Sequence, residues 1–132
     1  MSNKKKKVYT WSDIDTRVNL LASILKKQER QLTHITGIPR GGFIVATMLS
    51  HKLRLEYVSD YEQACKIDPQ NLLLCDEIND TGKTLKKYTS IKPFNKCVTL
   101  VIDEKLSSDY SADYKAVIHQ DHYWIEYPWE KK

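Results

Sequence analysis

An unbroken apolar run that ends in two acids constrains the fold of this chain more than any other feature. The run covers residues 71–75 and reads NLLLC, and Asp76 and Glu77 follow it directly. Apolar residues without alternation are typical of a strand that is buried on both faces of a parallel sheet. Helix-forming residues over 82–88 and a second apolar run, CVTLVI over 97–102, come next. This order predicts a strand, a helix and a strand of an α/β fold.

The rest of the sequence continues the alternation of predicted helices and strands. Ser12, with Asp15 three residues later, predicts a capped amphipathic helix over 13–27, in which apolar residues recur at helical spacing. The further predicted elements are a strand over 32–38, a buried helix over 42–53, a strand over 54–58 and a short strand over 116–118. We therefore expect an α/β protein with a mostly parallel sheet flanked by helices, in a single domain over residues 1–132.

The composition argues against several classes of protein. Of the 132 residues, 41% are hydrophobic and 29% are charged, as in ordinary globular proteins. The longest apolar runs are too short to span a bilayer, and no apolar stretch with a cleavage site follows the polar start. Cys65, Cys75 and Cys97 lie in no paired spacing, which argues against a disulfide framework and a zinc site. The reduced thiols of a cytoplasmic protein fit best.

Lysines at the two ends supply much of the net charge of +4. Lys4 to Lys7 form a run near the start, and Lys131 and Lys132 end the sequence. A flexible, solvated tail over residues 1–7 is the expected state of such a run, in preference to a nucleic-acid-binding arm. We therefore predict no nucleic-acid partner.

The chain has only four glycines, and all of them fall in two predicted strand-to-helix turns. Gly37, Gly41 and Gly42 belong to GIPRGG, and Gly82 belongs to DTGKT. Glycine is used where the backbone needs a positive φ or approaches a ligand closely. Ligands of open α/β sheets bind beyond the carboxyl ends of the strands. The two turns therefore predict one cleft, although tight turns alone would also use glycine.

The residues around these turns indicate the ligand. GKT does not complete a nucleotide phosphate loop, because Glu77 stands where that loop needs its first glycine. What remains is a helix N-terminus over residues 81–84 that can hold a phosphate monoester. Asp76 and Glu77 suit ribose hydroxyls and Mg²⁺. Arg40 and the backbone of Gly41 and Gly42 could bind a diphosphate. A ligand with a 5-phosphate, a ribose diol and a Mg²⁺-bound diphosphate would then contact every one of these groups, and phosphoribosyl diphosphate (PRPP) is that ligand.

These stretches resemble a known family. LLLCDEINDTGKTL is similar to the PRPP-binding motif of type I phosphoribosyltransferases, and GIPRGG resembles the loop of that family that binds diphosphate. Tyr9-Thr10-Trp11 near the start and WIEYPW near the end narrow the resemblance to the bacterial xanthine-guanine phosphoribosyltransferases. The resemblance implies the type I phosphoribosyltransferase fold with a reduced hood and lid. It also implies a homo-oligomer, either a dimer or a tetramer.

The activity implied is Mg²⁺-dependent purine salvage. Phosphoribosyl would pass from PRPP to guanine, xanthine or hypoxanthine, with release of diphosphate. Carried onto this sequence, Asp80 would be the general base, and Glu77 and Asp76 would face the metal. Asp80 could instead be a simple helix N-cap. The residues implied to bind PRPP are Arg40, Gly41, Asp76, Glu77, Asp80, Thr81, Gly82, Lys83 and Thr84.

The resemblance also assigns the purine site. Trp124 would stack on the base, Ile125 would present backbone groups to its edge, and Lys105 would contact its 6-oxo group. Two alternatives stay open: Lys105 could be an exposed surface lysine, and Trp124 could only pack in the core.

One departure from the family keeps a second function open. Relatives carry a long loop that closes over the site, but here only residues 60–69 separate the second and third strands of the sheet. Lys66 is the one basic candidate in that loop. The chain could therefore be a non-catalytic PRPP- or nucleotide-binding regulatory protein with a truncated lid. An RNA-binding module is a third reading, but it lacks a recognisable motif.

Overall fold

The computed structural model describes residues 5–130, and a parallel sheet lies at its centre. Five strands pair in the order β3-β2-β4-β5-β6, and β1 and β7 form a separate parallel pair. The predicted mostly parallel α/β fold is confirmed. The strands are β1 (Lys6–Val8), β2 (His34–Gly37), β3 (Glu56–Tyr57), β4 (Leu72–Asn79), β5 (Val98–Lys105), β6 (Tyr114–His119) and β7 (Trp124–Glu126).

Helices cover both faces of the five-stranded sheet. Leu73 and Cys75 of β4 pack on one face with the long helices, and Leu72 and Leu74 pack on the other with the short ones. The central strand is therefore buried on both faces, as its apolar run predicts. No helix within residues 5–130 is long and apolar enough to cross a membrane. The helices are α1 (Trp11–Lys26), α2 (Gly41–Leu53), α3 (Tyr61–Ala64) and α4 (Lys83–Thr89), with 3₁₀ turns at Pro69–Asn71, Phe94–Lys96 and Pro128–Glu130.

Helix α1 begins two residues earlier than the sequence pattern predicts. Its N-cap is Thr10, whose Oγ1 accepts a hydrogen bond from the Asp13 amide at 3.1 Å. In return, Asp13 Oδ2 accepts from the Thr10 amide at 2.8 Å. This reciprocal capping box satisfies two of the free amides of the helix. The predicted cap at Ser12 with Asp15 is therefore wrong.

Strand β4 extends four residues beyond its apolar run, and strand β5 extends three. Asp76 therefore lies within β4, where it pairs with Val101. Asn79 pairs with Glu104, and the Asn79 amide donates to the Glu104 carboxylate at 2.7 Å. A cross-strand partner thus satisfies the Asn79 side chain, and the ladder continues beyond the apolar run.

The N-terminal lysine run is not a flexible tail throughout. Lys6 and Lys7 belong to β1, which pairs in parallel with β7, so that Lys7 lies opposite Ile125. The Lys7 ammonium also donates to the Asp121 carboxylate at 2.8 Å. The predicted tail over residues 1–7 is therefore wrong for β1. Residues 1–4 of that prediction lie outside the described part of the chain.

Candidate functional site

The carboxyl ends of β2 and β4 form the candidate site, because both strands turn into helices at the same edge of the sheet. The chain passes from β2 into α2 through the GIPRGG loop, residues 37–42, whose Pro39–Arg40 peptide bond is cis. It passes from β4 into α4 through the DTGKT turn, residues 80–84. A cavity of about 240 Å³, the cleft cavity, lies between them. Its lining includes Ile38, Pro39, Asp76, Glu77, Ile78, Asn79, Asp80, Thr81, Gly82 and Thr84.

Gly41 permits the closest approach between the two turns. A Cβ built on Gly41 would lie 1.4 Å from Oε2 of Glu77, so any other residue would displace the carboxylate. Glu77 thus lies against the start of α2, beside exposed Arg40. A second cavity of about 650 Å³, the arginine cavity, opens here. Its lining includes Arg40, Gly41, Glu77, Trp129 and Glu130.

The DTGKT turn depends on the backbone freedom of Gly82. This residue has a φ of +94° and is the N-cap of α4. A side chain is strongly disfavoured in this conformation, and here it would also meet the Tyr110 amide nitrogen at 2.8 Å. Asp80 is exposed and lies two residues before the cap. The alternative that Asp80 caps the helix is therefore wrong, and its carboxylate is free to face the cavity.

Asp76 and Glu77 are adjacent acids in unlike environments. Asp76 is buried, and its Oδ1 accepts a hydrogen bond from the Glu77 amide at 2.9 Å. Burial, and then the neighbouring Glu77 carboxyl group, raise the pKa of Asp76 to about 9. Without a ligand, the acid pair therefore holds a proton at neutral pH.

A third cavity, of about 190 Å³, contains the predicted purine residues and is called the tryptophan cavity. Lys105 is buried, and its ammonium donates to the Tyr123 carbonyl at 2.7 Å. The alternative of an exposed surface lysine is therefore wrong. Trp124 is 54% exposed, so a plain core role is also wrong. The lining residues are Glu77, Ile78, Asp80, Lys105, Tyr123, Trp124, Ile125, Tyr127 and Glu130.

Asp76 and Glu77, the acid pair, suit a magnesium ion whose remaining ligands come from the substrate and from water. Residues 5–130 contain no group of three or more His, Cys, Asp or Glu side chains placed to hold a metal. Mg²⁺ usually takes only one or two carboxylates and completes its shell with waters and substrate phosphates. Asp76 and Glu77 supply that number, and a cation beside them would favour the ionised form of Asp76, which burial and the neighbouring Glu77 disfavour.

Asp103 lies behind the cavities and outside the sequence motifs, while its partners Tyr9 and Tyr127 lie in motifs that assign them no role. Asp103 is fully buried and accepts hydrogen bonds from the hydroxyls of Tyr9 and Tyr127, each at 2.7 Å. Burial and this carboxylate raise the pKa of both tyrosines, which keeps them protonated. The one sequence signal is an acid directly after the apolar run of β5. A motif search does not use that signal.

The segment between β3 and β4 stays away from the three cavities. Asp60 caps the short helix α3, and Pro69–Asn71 forms a 3₁₀ turn before β4. Lys66, the basic candidate of the short lid, lines a different cavity together with His34 and Glu56. It is therefore not placed to contact a ligand in the site.

The chain is similar to curated enzymes over almost its whole length. It is 28% identical to the xanthine-guanine phosphoribosyltransferase of Vibrio atlanticus (strain LGP32) over 145 residues, covering 98% of this chain and 91% of that protein. The same enzyme of Vibrio parahaemolyticus is 28% identical over 141 residues, covering 96% and 90%. No model of a protein family matches the chain.

Solved structures with a similar fold include purine phosphoribosyltransferases. A purine phosphoribosyltransferase from Pyrococcus horikoshii superposes with a TM-score of 0.79 at 25% identity, covering 97% of this chain and 95% of that one. A Neisseria gonorrhoeae protein with bound ppGpp (0.78, 21%, covering 99% and 92%) and the Helicobacter pylori xanthine-guanine-hypoxanthine phosphoribosyltransferase (0.72, 20%, covering 95% and 93%) share the fold.

The fold is therefore that of the type I phosphoribosyltransferases. In sequence, the chain is similar to the xanthine-guanine phosphoribosyltransferases, and the resemblance predicted from its motifs is confirmed.

Proposed function

We propose that this chain is a purine phosphoribosyltransferase, which transfers phosphoribosyl from PRPP to guanine, xanthine or hypoxanthine. The products are a nucleoside 5′-monophosphate and diphosphate. One observation carries the proposal: Glu77 lines all three cavities, and Asp80 lines both the cleft cavity and the tryptophan cavity. A reaction that joins a sugar to a base and expels diphosphate needs three subsites that meet at one point. The names of the full-length relatives support the same reaction.

The cleft cavity suits the ribose 5-phosphate part of PRPP. The DTGKT turn offers the hydroxyls of Thr81 and Thr84 and the first amides of α4 to the 5-phosphate, and the Lys83 ammonium adds positive charge. Asp76 and Glu77 would accept hydrogen bonds from the ribose hydroxyls. The diphosphate would then lie in the arginine cavity, against Arg40 and the Gly41 backbone.

Asp80 is the proposed general base. Its exposed carboxylate lies at the boundary between the sugar and base cavities, where a purine nitrogen would approach C1 of the ribose. The bond from C1 to diphosphate breaks, the bond from C1 to the purine nitrogen forms, and the proton lost by the purine goes to the carboxylate. Positioning and charge placement supply the remaining rate enhancement.

Mg²⁺ is the proposed cofactor, with Glu77 and Asp76 as its protein contacts. When bound, the ion would neutralise negative charge on the diphosphate leaving group. The residues of this chain would hold the sugar and the diphosphate in line for the transfer.

The tryptophan cavity suits a 6-oxopurine. Trp124 offers an exposed ring for stacking, and Ile125 offers backbone groups to the edge of the base. The Lys105 ammonium donates to the Tyr123 carbonyl of the cavity wall at 2.7 Å. Its longer contacts with the Asp121 carbonyl and carboxylate, at 3.3 and 3.5 Å, would give way to an acceptor such as the 6-oxo group. Adenine carries an amino group at that position and is expected to be a poor substrate.

A cytoplasmic location and a homo-oligomeric state belong to the same proposal. Cys65, Cys75 and Cys97 are free thiols, as expected in a reducing compartment. Leu20 is a large exposed apolar side chain on α1, which would suit a contact between two copies. Light scattering at several concentrations would measure the oligomeric state.

Turnover with defined bases tests the proposal. The protein is incubated with PRPP, Mg²⁺ and one of guanine, xanthine, hypoxanthine or adenine, and both diphosphate and nucleotide are measured. Formation of nucleotide with a 6-oxopurine but little with adenine is the expected result. PRPP binding without turnover on any base would contradict the proposal and favour a regulatory binding protein.

A further inference from the structure

Asp103 lies at the centre of a buried polar cluster that the proposed chemistry does not use. Its Oδ1 accepts a hydrogen bond from the Tyr9 hydroxyl at 2.7 Å and lies 2.7 Å from Nε2 of His119. Its Oδ2 accepts from the Tyr127 hydroxyl at 2.7 Å. A fully buried carboxyl group is costly unless such partners satisfy it, and an apolar side chain would fill a β5 position at lower cost. The cluster therefore points to a positioning role.

Tyr127 connects this cluster to the site. Its hydroxyl oxygen lies 2.7 Å from Asp103 Oδ2 and 3.2 Å from the main-chain oxygen of Glu77. The single hydroxyl hydrogen is shared between the two acceptors, and the shorter distance makes the bond to Asp103 the stronger one. The same residue lines the tryptophan cavity. The hydroxyl group thus lies where the acid pair and the base cavity meet.

A second arm of the cluster reaches Lys105. His119 Nδ1 lies 3.1 Å from the Lys7 ammonium, which donates to the Asp121 carboxylate at 2.8 Å. The Asp121 carbonyl in turn accepts from Lys105 at 3.3 Å. If Nε2 of His119 donates to Asp103, Nδ1 is left to accept from the ammonium, as in a neutral imidazole. One carboxylate therefore connects both the acid pair and the purine lysine.

We propose that Tyr127 is a positioning residue for the acid pair. Asp103 holds the Tyr127 hydroxyl in place, and the hydroxyl holds the main chain at Glu77. The position of this main chain sets the orientation of the Glu77 and Asp80 side chains toward both substrates. The catalytic consequence rests on the proposed function. The Tyr127 ring is held independently, because it stacks on Trp129 at 5.0 Å between ring centroids. Loss of the hydroxyl alone would therefore loosen residues 76–80 without unseating the ring.

A matched pair of variants tests this role. Tyr127→Phe and Tyr9→Phe each remove one hydrogen bond to Asp103 from a buried ring, but only Tyr127 also contacts Glu77. We expect similar falls in melting temperature. We expect kcat to fall about tenfold in Tyr127→Phe and less than about twofold in Tyr9→Phe, with a smaller change in the KM for PRPP.

Amide hydrogen exchange over residues 76–81 gives a readout that does not depend on activity. Exchange there should be faster in Tyr127→Phe than in the wild type and unchanged in Tyr9→Phe. Equal exchange in the two variants, or an unchanged kcat for Tyr127→Phe when the wild type is active, would overturn the inference. A wild type without turnover on any 6-oxopurine would overturn the proposed function instead, and exchange alone would then decide whether Tyr127 positions the segment.

Discussion

Asp76 and Glu77 are adjacent in sequence, but their side chains lie in different chemical environments. Successive side chains of a strand point to opposite faces, so the two neighbouring acids meet different surroundings. Asp76 is buried on β4, while Glu77 reaches across to Gly41 and all three cavities. The buried acid holds a proton, and the more exposed one faces the ligands. The pair therefore accepts a cation or a hydroxyl group without carrying two full buried charges beforehand.

The protonated acid predicts a stability that falls with rising pH. The pKa of Asp76 is about 9 in the folded chain and 3.8 ordinarily, so the folded state holds a proton that the unfolded state loses in between. Between about pH 4 and about pH 9, unfolding releases that proton, and the free energy of unfolding decreases as pH rises. The slope is at most about 1.4 kcal/mol per pH unit.

Asp76→Asn removes this titration. Urea unfolding at about pH 5 and about pH 8 should show a clearly smaller difference in midpoint for the variant than for the wild type, with the variant more stable at the higher pH. Equal pH dependence in the two proteins would mean that Asp76 is already ionised when folded.

Asp80 predicts a loss of turnover without a loss of fold. Asp80→Asn keeps the size of the side chain but removes the basic group, so kcat should fall by about 10²-fold or more. Asp109→Asn is the matched control, because this 77% exposed acid lies near the same turn but outside the three cavities. Its kcat should stay near the wild-type value. Near-equal turnover of both variants would remove Asp80 from the chemistry, while circular dichroism checks that both are folded.

At the scale of elements, the pair of strands β1 and β7 supports the base cavity. Lys6 lies opposite Trp124 and Lys7 opposite Ile125, and the Trp124 amide donates to the Lys5 carbonyl at 2.9 Å. Trp124 and Ile125 thus depend on a partner strand from the far end of the chain. The wall of the tryptophan cavity therefore depends on a segment that is distant in sequence, and not on a local loop alone.

Removal of β1 should weaken purine binding more than PRPP binding. Deletion of residues 1–8 takes away the partner of β7, so the KM for the purine should rise by about tenfold, because the stacking ring and the backbone acceptors lose their fixed positions. Deletion of residues 1–4 is the matched control and should leave both KM values unchanged, because it keeps β1 and the contact of Lys5 with β7. Steady-state kinetics below the melting temperature of each variant would measure both. Equal rises in the two KM values would indicate general destabilisation.

At the scale of the whole molecule, the sequence predicts the sheet and most of the cleft but not the groups that support them. Apolar runs and glycine turns are local signals, and they identify the central strands and both loops. The positions of Asn79 and Asp103 within strands depend on partners that are distant in sequence, such as Glu104 and Tyr127, which no local window contains. Strand β1 is not predicted for the same reason. Its lysines have the pattern of a solvated run, and only the pairing with β7 makes them a strand.

The short connection between β3 and β4 predicts imperfect exclusion of water. The aligned region of the Vibrio atlanticus relative spans 145 positions, more than the 132 residues of this chain, so that relative carries inserted residues. Within the described chain, none of residues 58–71 lines the cleft, arginine or tryptophan cavity. A lid that closes over a site keeps water from reactive intermediates. Without one, water should compete with the purine for C1 of the ribose.

The ratio of the two products measures this competition. Diphosphate released from PRPP should exceed the nucleotide formed, and the excess should appear as ribose 5-phosphate. Raising the purine concentration should bring the ratio toward one, because a bound base occupies the face that water attacks. The control without protein corrects for spontaneous breakdown of PRPP. A ratio of one at every purine concentration would mean that the cavity walls alone exclude water, and that this fold needs no long lid to protect the transfer.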